Sequence, residues 1–195
     1  MTTPTRSPAL VLLCGASFSG KSSLGQILAD GLGAQIVSFD AINGERGLWG
    51  GQGIPVSEWA QTNAEAHQRV DKLLSRGESV IVDDTSSPRF LRDQWRDAAG
   101  ATASAFLLVY LRTSDALVLE RLTANRRDLR RGDVTDEVMR EHLASFEPPG
   151  KDESHLTVDS AGYQNEVVLS TVRAALSTSP WSCQPYSSSP KDEAS

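Results

Sequence analysis

Ala9-Leu-Val-Leu-Leu-Cys14-Gly15-Ala16-Ser17-Phe18-Ser19-Gly20-Lys21-Ser22 is the stretch from which the fold follows. It opens with an unbroken apolar run of strand length, the pattern of a strand covered on both faces of a parallel sheet. Gly15 to Ser22 then match G-x-x-x-x-G-K-[ST] at every fixed position, and Ser22-Ser-Leu-Gly-Gln-Ile-Leu-Ala29 turns to helical spacing. The glycines let successive N–H groups turn inward, and those donors with the following helix N-terminus favour polyanionic phosphate. Gly15, Ser17, Phe18, Ser19, Gly20, Lys21, Ser22 and Ser23 are therefore the candidate nucleotide-binding residues. Lys21 is placed to reach β/γ oxygens and the Ser22 hydroxyl to ligate Mg²⁺, so ATP and Mg²⁺ are the expected cofactors. The competing reading, a glycine-rich turn that only joins strand to helix, is outweighed by a complete motif between correct flanks. A phosphate loop alone implies nucleotide binding and leaves the reaction open.

Outward from this loop, short apolar runs alternate with longer amphipathic stretches, which predicts an α/β domain with a parallel sheet between helices. Strands are expected at Ala9 to Cys14, Gln35 to Phe39, Ser79 to Val82, Ala105 to Leu111 and His155 to Val158. Helices are expected near Lys21 to Gly31, Val56 to Arg76, Pro88 to Ala99, Ser114 to Asn125, Thr135 to Phe146 and Gly162 to Leu176. Ser114 suits a helix cap, Pro88 a first helical turn, and Gly31 and Gly77 helix stops. The expected organisation is a short N-terminal arm at 1–8, one domain at 9–177 and a disordered Ser/Pro-rich tail at 178–195, in which Trp181 and Tyr186 leave a docking segment open.

With 195 residues the chain is long enough for one core without metal or disulfide support. Its longest apolar run, Ala9 to Cys14, is too short to span a bilayer, and Met1 to Pro8 lack the long apolar stretch and small-residue cleavage site expected of a secretory signal. Cys14 and Cys183 show neither disulfide nor metal spacing, which fits a reducing cytoplasm. A net charge of −6 lacks the basic footprint of a duplex-binding protein and favours a small substrate, with no membrane partner.

Three further features bear on chemistry. Asp40 follows the second predicted strand at its carboxyl end, where ligands of parallel sheets bind, and can accept a hydroxyl proton; its plain alternative is a strand-end turn or helix cap. Val80-Ile-Val-Asp83-Asp84-Thr85 resembles a Walker B site, and one of Asp83 and Asp84 is expected to serve the metal, since adjacent strand residues face opposite ways. Arg121, Arg126, Arg127, Arg130 and Arg131 form a basic segment that reads either as a phosphate-facing lid or as a solvated face paired with nearby acids. Arg127 and Arg131 share a helical face, and so do Arg126 and Arg130, so spacing offers two pairs to stand beside Lys21 and Asp40. The glycine-rich stretch Asn43 to Pro55, with Arg46, Trp49 and Gln52, reads equally as a substrate loop or as a plain connection. Candidate acceptor-side residues are Asp40, Arg46, Asp84 and Thr85. His67 reads as a surface residue.

In this order, the phosphate loop, Asp40, Asp83-Asp84-Thr85 and the arginine segment resemble the P-loop kinases that include polynucleotide 5′-kinase domains, zeta-toxin-like kinases and chloramphenicol-phosphotransferase-like enzymes, an AAA-type predicted kinase group. The resemblance spans roughly Ala9 to Val158. It implies a sheet order of 2-3-1-4-5, Asp40 as general base, Asp84-Thr85 as the Asp-Thr ending the third strand, and Arg127 to Gly132 as the lid, with Arg127 and Arg131 facing the nucleotide. Phe146-Glu-Pro-Pro149 is similar to a segment closing the lid helix. The expected function is transfer of the γ-phosphate of Mg·ATP to a hydroxyl of a small molecule. A polynucleotide 5′-hydroxyl kinase and a non-catalytic ATP-binding regulatory module are the alternatives.

Overall fold

The computed structural model describes residues 7–48, 53–128 and 133–178. The opening apolar run forms β1 (Ala9–Cys14), with every residue buried. A phosphate loop leads into α1 (Lys21–Leu32), followed by β2 (Gln35–Ser38), α2 (Phe39–Glu45), α3 (Val56–Leu74) and β3 (Val80–Asp83). The chain continues through α4 (Arg89–Ala101), β4 (Ala105–Arg112), α5 (Asp115–Asp128), α6 (Asp136–Ser145), β5 (Leu156–Asp159) and α7 (Asn165–Thr178). The strands form one parallel five-stranded sheet in the order β2-β3-β1-β4-β5, the order implied by the resemblance.

Because successive side chains of a strand point to opposite faces, β1 feeds two cores at once. Leu10, Leu12 and Cys14 pack with Val80, Val82, Trp95, Phe106 and Leu108 on the side of α3 and α4. Val11 and Leu13 pack with Leu24, Leu28, Ile81, Val109 and Val172 on the side of α1 and α7. A third cluster joins Ala16 and Phe18 of the phosphate loop to Val118 and Leu122 of α5 and Met139 of α6. The loop is thus rooted in the sheet below and roofed by the last two helices before β5.

Two expected boundaries move for physical reasons. The strand expected to reach Phe39 ends at Ser38, whose hydroxyl caps the unforeseen α2 by accepting from the Ala41 N–H at 3.4 Å. Phe39 then turns into the core, and Asp40 sits in the first helical turn. The α1 stop lies at Gly33, with φ 66°, and not at Gly31. Gly31 serves packing instead: a Cβ there would lie 2.5 Å from the Leu169 side chain of α7. Ser114 caps α5 as expected, its Oγ accepting from the Leu117 N–H at 3.3 Å. Trp49, Gln52, Arg130, Arg131, Gly132, Trp181, Cys183 and Tyr186 lie outside the described residues. Among the described residues no helix is long and apolar enough to cross a membrane.

Candidate active site

The phosphate loop leaves β1 at Gly15, whose N–H donates to the Thr85 carbonyl at 3.2 Å and so ties the loop to the end of β3. A Cβ on Gly15 would fall 2.9 Å from both the Leu111 carbonyl oxygen and Ser19 Oγ, so a side chain would force this junction apart. Gly20 has φ 98°, a conformation glycine enters without strain. Phe18 also takes a left-handed φ of 60°, and its ring is held in the cluster under α5 and α6. Its side chain is therefore an anchor, and only its backbone is left to line the cradle. Lys21 is buried and donates from Nζ to the Gly15 and Ala16 carbonyls at 2.8 and 2.9 Å. Ser22 and Ser23 stay exposed on the first turn of α1.

From behind, Arg121 of α5 holds the loop. Its Nη1 donates to the Phe18 and Ser19 carbonyls at 3.1 and 2.7 Å and to Ser160 Oγ at 2.7 Å, while Nη2 donates to the Ser160 carbonyl at 2.9 Å. Ser160 follows β5 and itself donates from its hydroxyl to the Ser19 carbonyl. Loop carbonyls are thereby turned outward to donors, which leaves N–H groups for the cradle. One of them, Ser17 N–H, donates to His142 Nε2 of α6 at 3.0 Å.

The two adjacent aspartates part company. Asp83 is hydrogen-bonded to the Ser22 side chain and feels Lys21, Asp40 and Asp84; burial pushes its carboxyl up, and Ser22 and Lys21 pull it back. Asp84 turns away and accepts from Ser86 N–H at 2.7 Å and Ser86 Oγ at 3.0 Å, fixing a turn in which Ser86 has φ 46°. Burial raises its carboxyl as well, opposed by those Ser86 bonds. Of the pair, Asp83 stands by Ser22, and Asp84 shapes the chain after β3. Ser22 and Asp83, a hydroxyl and a desolvated carboxylate with Asp40 nearby, fit a hard divalent cation. Among the described residues no three His, Cys, Asp or Glu side chains could hold a metal by themselves, so phosphate oxygens would complete its shell.

The expected arginines are placed less simply. Arg127 is exposed at the end of α5, and Arg131 lies outside the described residues. Arg126 pins the start of α6 through Asp133 at 2.9 Å, Asp136 at 2.7 Å and the Val134 carbonyl at 2.6 Å. Arg46, expected to face an acceptor, is engaged by α3: it donates to the Glu58 carbonyl at 2.8 Å, Thr62 Oγ1 at 2.5 Å, Glu58 Oε2 at 2.5 Å and Gln61 Oε1 at 3.0 Å. In this arrangement it is a clamp between α2 and α3. His67 is no surface residue either: its ring stacks on Trp95 at 3.7 Å, and burial pushes its pKa down.

A family profile described as an AAA domain matches residues 10–149. The chain belongs to this AAA domain family. No curated protein matches it. Among solved structures, a gluconokinase from Sinorhizobium meliloti 1021 is 23% identical, with 88% of this chain and 93% of that chain covered at a TM-score of 0.63. APS kinase CysC of Mycobacterium tuberculosis, in complex with AMPPNP and APS, is 18% identical, with 88% and 99% covered at 0.64. Kti12 of Chaetomium thermophilum, in complex with ADP-AlF3, is 12% identical, with 86% and 98% covered at 0.69. These likenesses establish a P-loop kinase-like fold, coarser than the polynucleotide-kinase and zeta-toxin-like grouping expected from the sequence.

Two features of this AAA domain had no signal in its sequence. Arg92 and Glu153 form a fully buried bidentate pair, Nε to Oε2 at 2.8 Å and Nη2 to Oε1 at 2.7 Å. The same guanidinium donates to the Ser86 and Glu147 carbonyls at 3.0 Å each and to the Ser87 carbonyl. It thus locks the turn after Asp84 to the Phe146-Glu-Pro-Pro149 segment. The second is His142, which sits in plain helical sequence and meets the loop only through the tertiary docking of α6.

Proposed function

We propose that this AAA domain is an ATP-dependent phosphotransferase that moves the γ-phosphate to a hydroxyl of a small molecule. The observation that carries the reading is the meeting of Asp40, Asp83, Ser22 and Lys21 at the carboxyl edge of the sheet, beside a loop that presents N–H groups. The loop amides and Lys21 hold the phosphates, for which Lys21 exchanges its present carbonyl partners. Ser22 and Asp83 hold Mg²⁺, which when bound neutralises charge on the phosphates. Asp40 orients the acceptor hydroxyl and takes its proton as the acceptor oxygen bonds to the γ-phosphorus and the bond to the β,γ-bridging oxygen breaks. Arg127 and Arg131 complete the charge stabilisation, and the protein works in the cytoplasm.

The test is phosphate transfer from ATP to a panel of polyols, sugar acids, nucleosides and a short 5′-hydroxyl oligonucleotide, with wild type and Asp40→Asn. Transfer to a small acceptor, lost about 10²–10⁴-fold in the variant while nucleotide affinity holds, is the expected outcome. Undiminished turnover in Asp40→Asn removes Asp40 from the chemistry, and transfer confined to the oligonucleotide replaces the small acceptor with a nucleic-acid end.

A further inference from the structure

The Ser17 N–H is one of the phosphate-loop amides, and it is bonded to α6. Its partner, His142 Nε2 at 3.0 Å, is accepting, so the imidazole carries its proton on Nδ1 and is neutral. The contact is built into the packing of α6. Met139, one turn earlier on the same face, is buried against Ala16, Phe18, Val118 and Leu122, and Leu143 and Phe146 close the cluster behind it. Of the groups around the imidazole, those seven cluster residues carry no titratable side chain, and Arg140 and Glu141 on its own helix are exposed. The charge that acts on it is that of Lys21, whose Nζ is bonded to the Gly15 and Ala16 carbonyls of the same loop. Burial first and Lys21 second push the His142 pKa down, which agrees with a neutral acceptor.

A phosphate oxygen and Nε2 compete for one N–H. When an anion takes the Ser17 N–H, the Nε2 lone pair is left facing phosphate oxygens, a repulsive arrangement beside a new negative charge. A proton on Nε2 reverses it, turning an acceptor into a charged donor aimed at the same oxygens. We propose that His142 is a phosphate-contacting residue of the nucleotide site, exchanging the Ser17 N–H for a proton and a bond to a phosphate oxygen when nucleotide binds. The inference rests on the nucleotide-binding reading above and adds to it a lid contact that does not depend on arginine. It makes closure of α6 sensitive to what the loop holds, since one side chain senses both the loop amide and its ligand.

The experiment is calorimetric titration of the full chain with AMPPNP and Mg²⁺ at pH 7.5, in buffers of different ionisation enthalpy, for wild type and His142→Gln. The glutamine amide can still accept from Ser17 or donate to phosphate, but takes up no proton. Wild type is expected to take up a proton that His142→Gln does not, and the variant to bind about tenfold more weakly, the scale of one charge-assisted hydrogen bond. The chain has three histidines, so the imidazole resonance of His142 can be followed by NMR, and its pKa should rise on binding. Equal proton uptake in both proteins, or an unmoved His142 resonance in a saturated wild type, overturns the inference while leaving nucleotide binding intact. Absence of any binding by the wild type overturns the nucleotide reading and this inference together.

Discussion

The phosphate loop and the α2–α3 segment flank the same edge of the sheet, yet they are held by opposite means. The loop is fixed by backbone: Gly15 N–H to Thr85, loop carbonyls to Arg121 and Lys21, and a close approach to Leu111 that leaves no room for a Cβ. The α2–α3 side is fixed by side chains, Arg46 to Glu58, Thr62 and Gln61, and Thr62 Oγ1 to Asn43 Oδ1 at 2.6 Å. A backbone-built site binds groups every nucleotide shares. A side-chain-built one changes with each substitution, which is where acceptor choice in a shared fold belongs.

The largest effect should come from the two arginine clamps, one on each side. Arg92 is fully buried and shares Glu153 with no solvent, whereas the Arg46 side chain is 19% exposed and its Glu58 partner 33%. Removing one member of a buried pair strands the other charge, so Arg92→Leu should cost about 3–5 kcal/mol in denaturant unfolding. Arg46→Leu should cost about 1 kcal/mol or less. Similar losses would mean that the α2–α3 side is as rigid as the loop side. A double variant Arg92→Leu/Glu153→Leu should recover much of the stability, since it removes the stranded charge.

Next in size is the division between Asp83 and Asp84. Asp83→Asn, which weakens the residue beside Ser22, should lower turnover about 10²-fold and raise the Mg²⁺ concentration needed for half-maximal rate. Asp84→Asn should leave that Mg²⁺ dependence unchanged and act on thermal stability, because its carboxylate accepts both Ser86 bonds. Identical Mg²⁺ curves for the two variants would undo the assignment.

What could be read beforehand follows the same division. The β1 run and the phosphate loop are contiguous, and the pattern that announces them lies within neighbouring residues, so the strand, the loop and the start of α1 appear where periodicity and motif place them, although distant partners such as Thr85 and Arg121 hold them there. Strand order came from the resemblance, because parallel pairing is set by crossovers that spacing does not encode. Asp83 against Asp84 can be posed from alternation, but that Asp83 is the one beside Ser22 shows only in the fold. Arg121, Arg92 with Glu153, and His142 act across separations of 39 to 125 residues, and no local pattern marks such partners. α2 was missed because Ser38 serves equally as a last strand residue and as a cap, and only the turn of Phe39 into the core decides between them.

The smallest effect concerns a second neutral histidine, on the α3 side. His67 stacks on Trp95 with ring planes 7° apart, and burial holds its pKa below the ordinary 6.5. The native state therefore favours neutral imidazole. As pH falls below about 6.5 the unfolded chain takes up the proton first, and stability is lost from there down to the native pKa. His67→Phe keeps a ring on Trp95 and removes the proton. Its melting temperature should match the wild type near pH 7.5 and fall less between pH 6.5 and 5. His142, whose pKa burial also lowers, contributes a loss of the same sign, but on the proposed exchange with phosphate its loss alone should shrink when a phosphate anion saturates the loop. An acid loss in wild type that phosphate weakens, and that persists in part in His67→Phe, separates the histidine of the packed layer from the histidine of the cradle; parallel pH curves for wild type and His67→Phe would show that the stack on Trp95 does not hold the ring neutral.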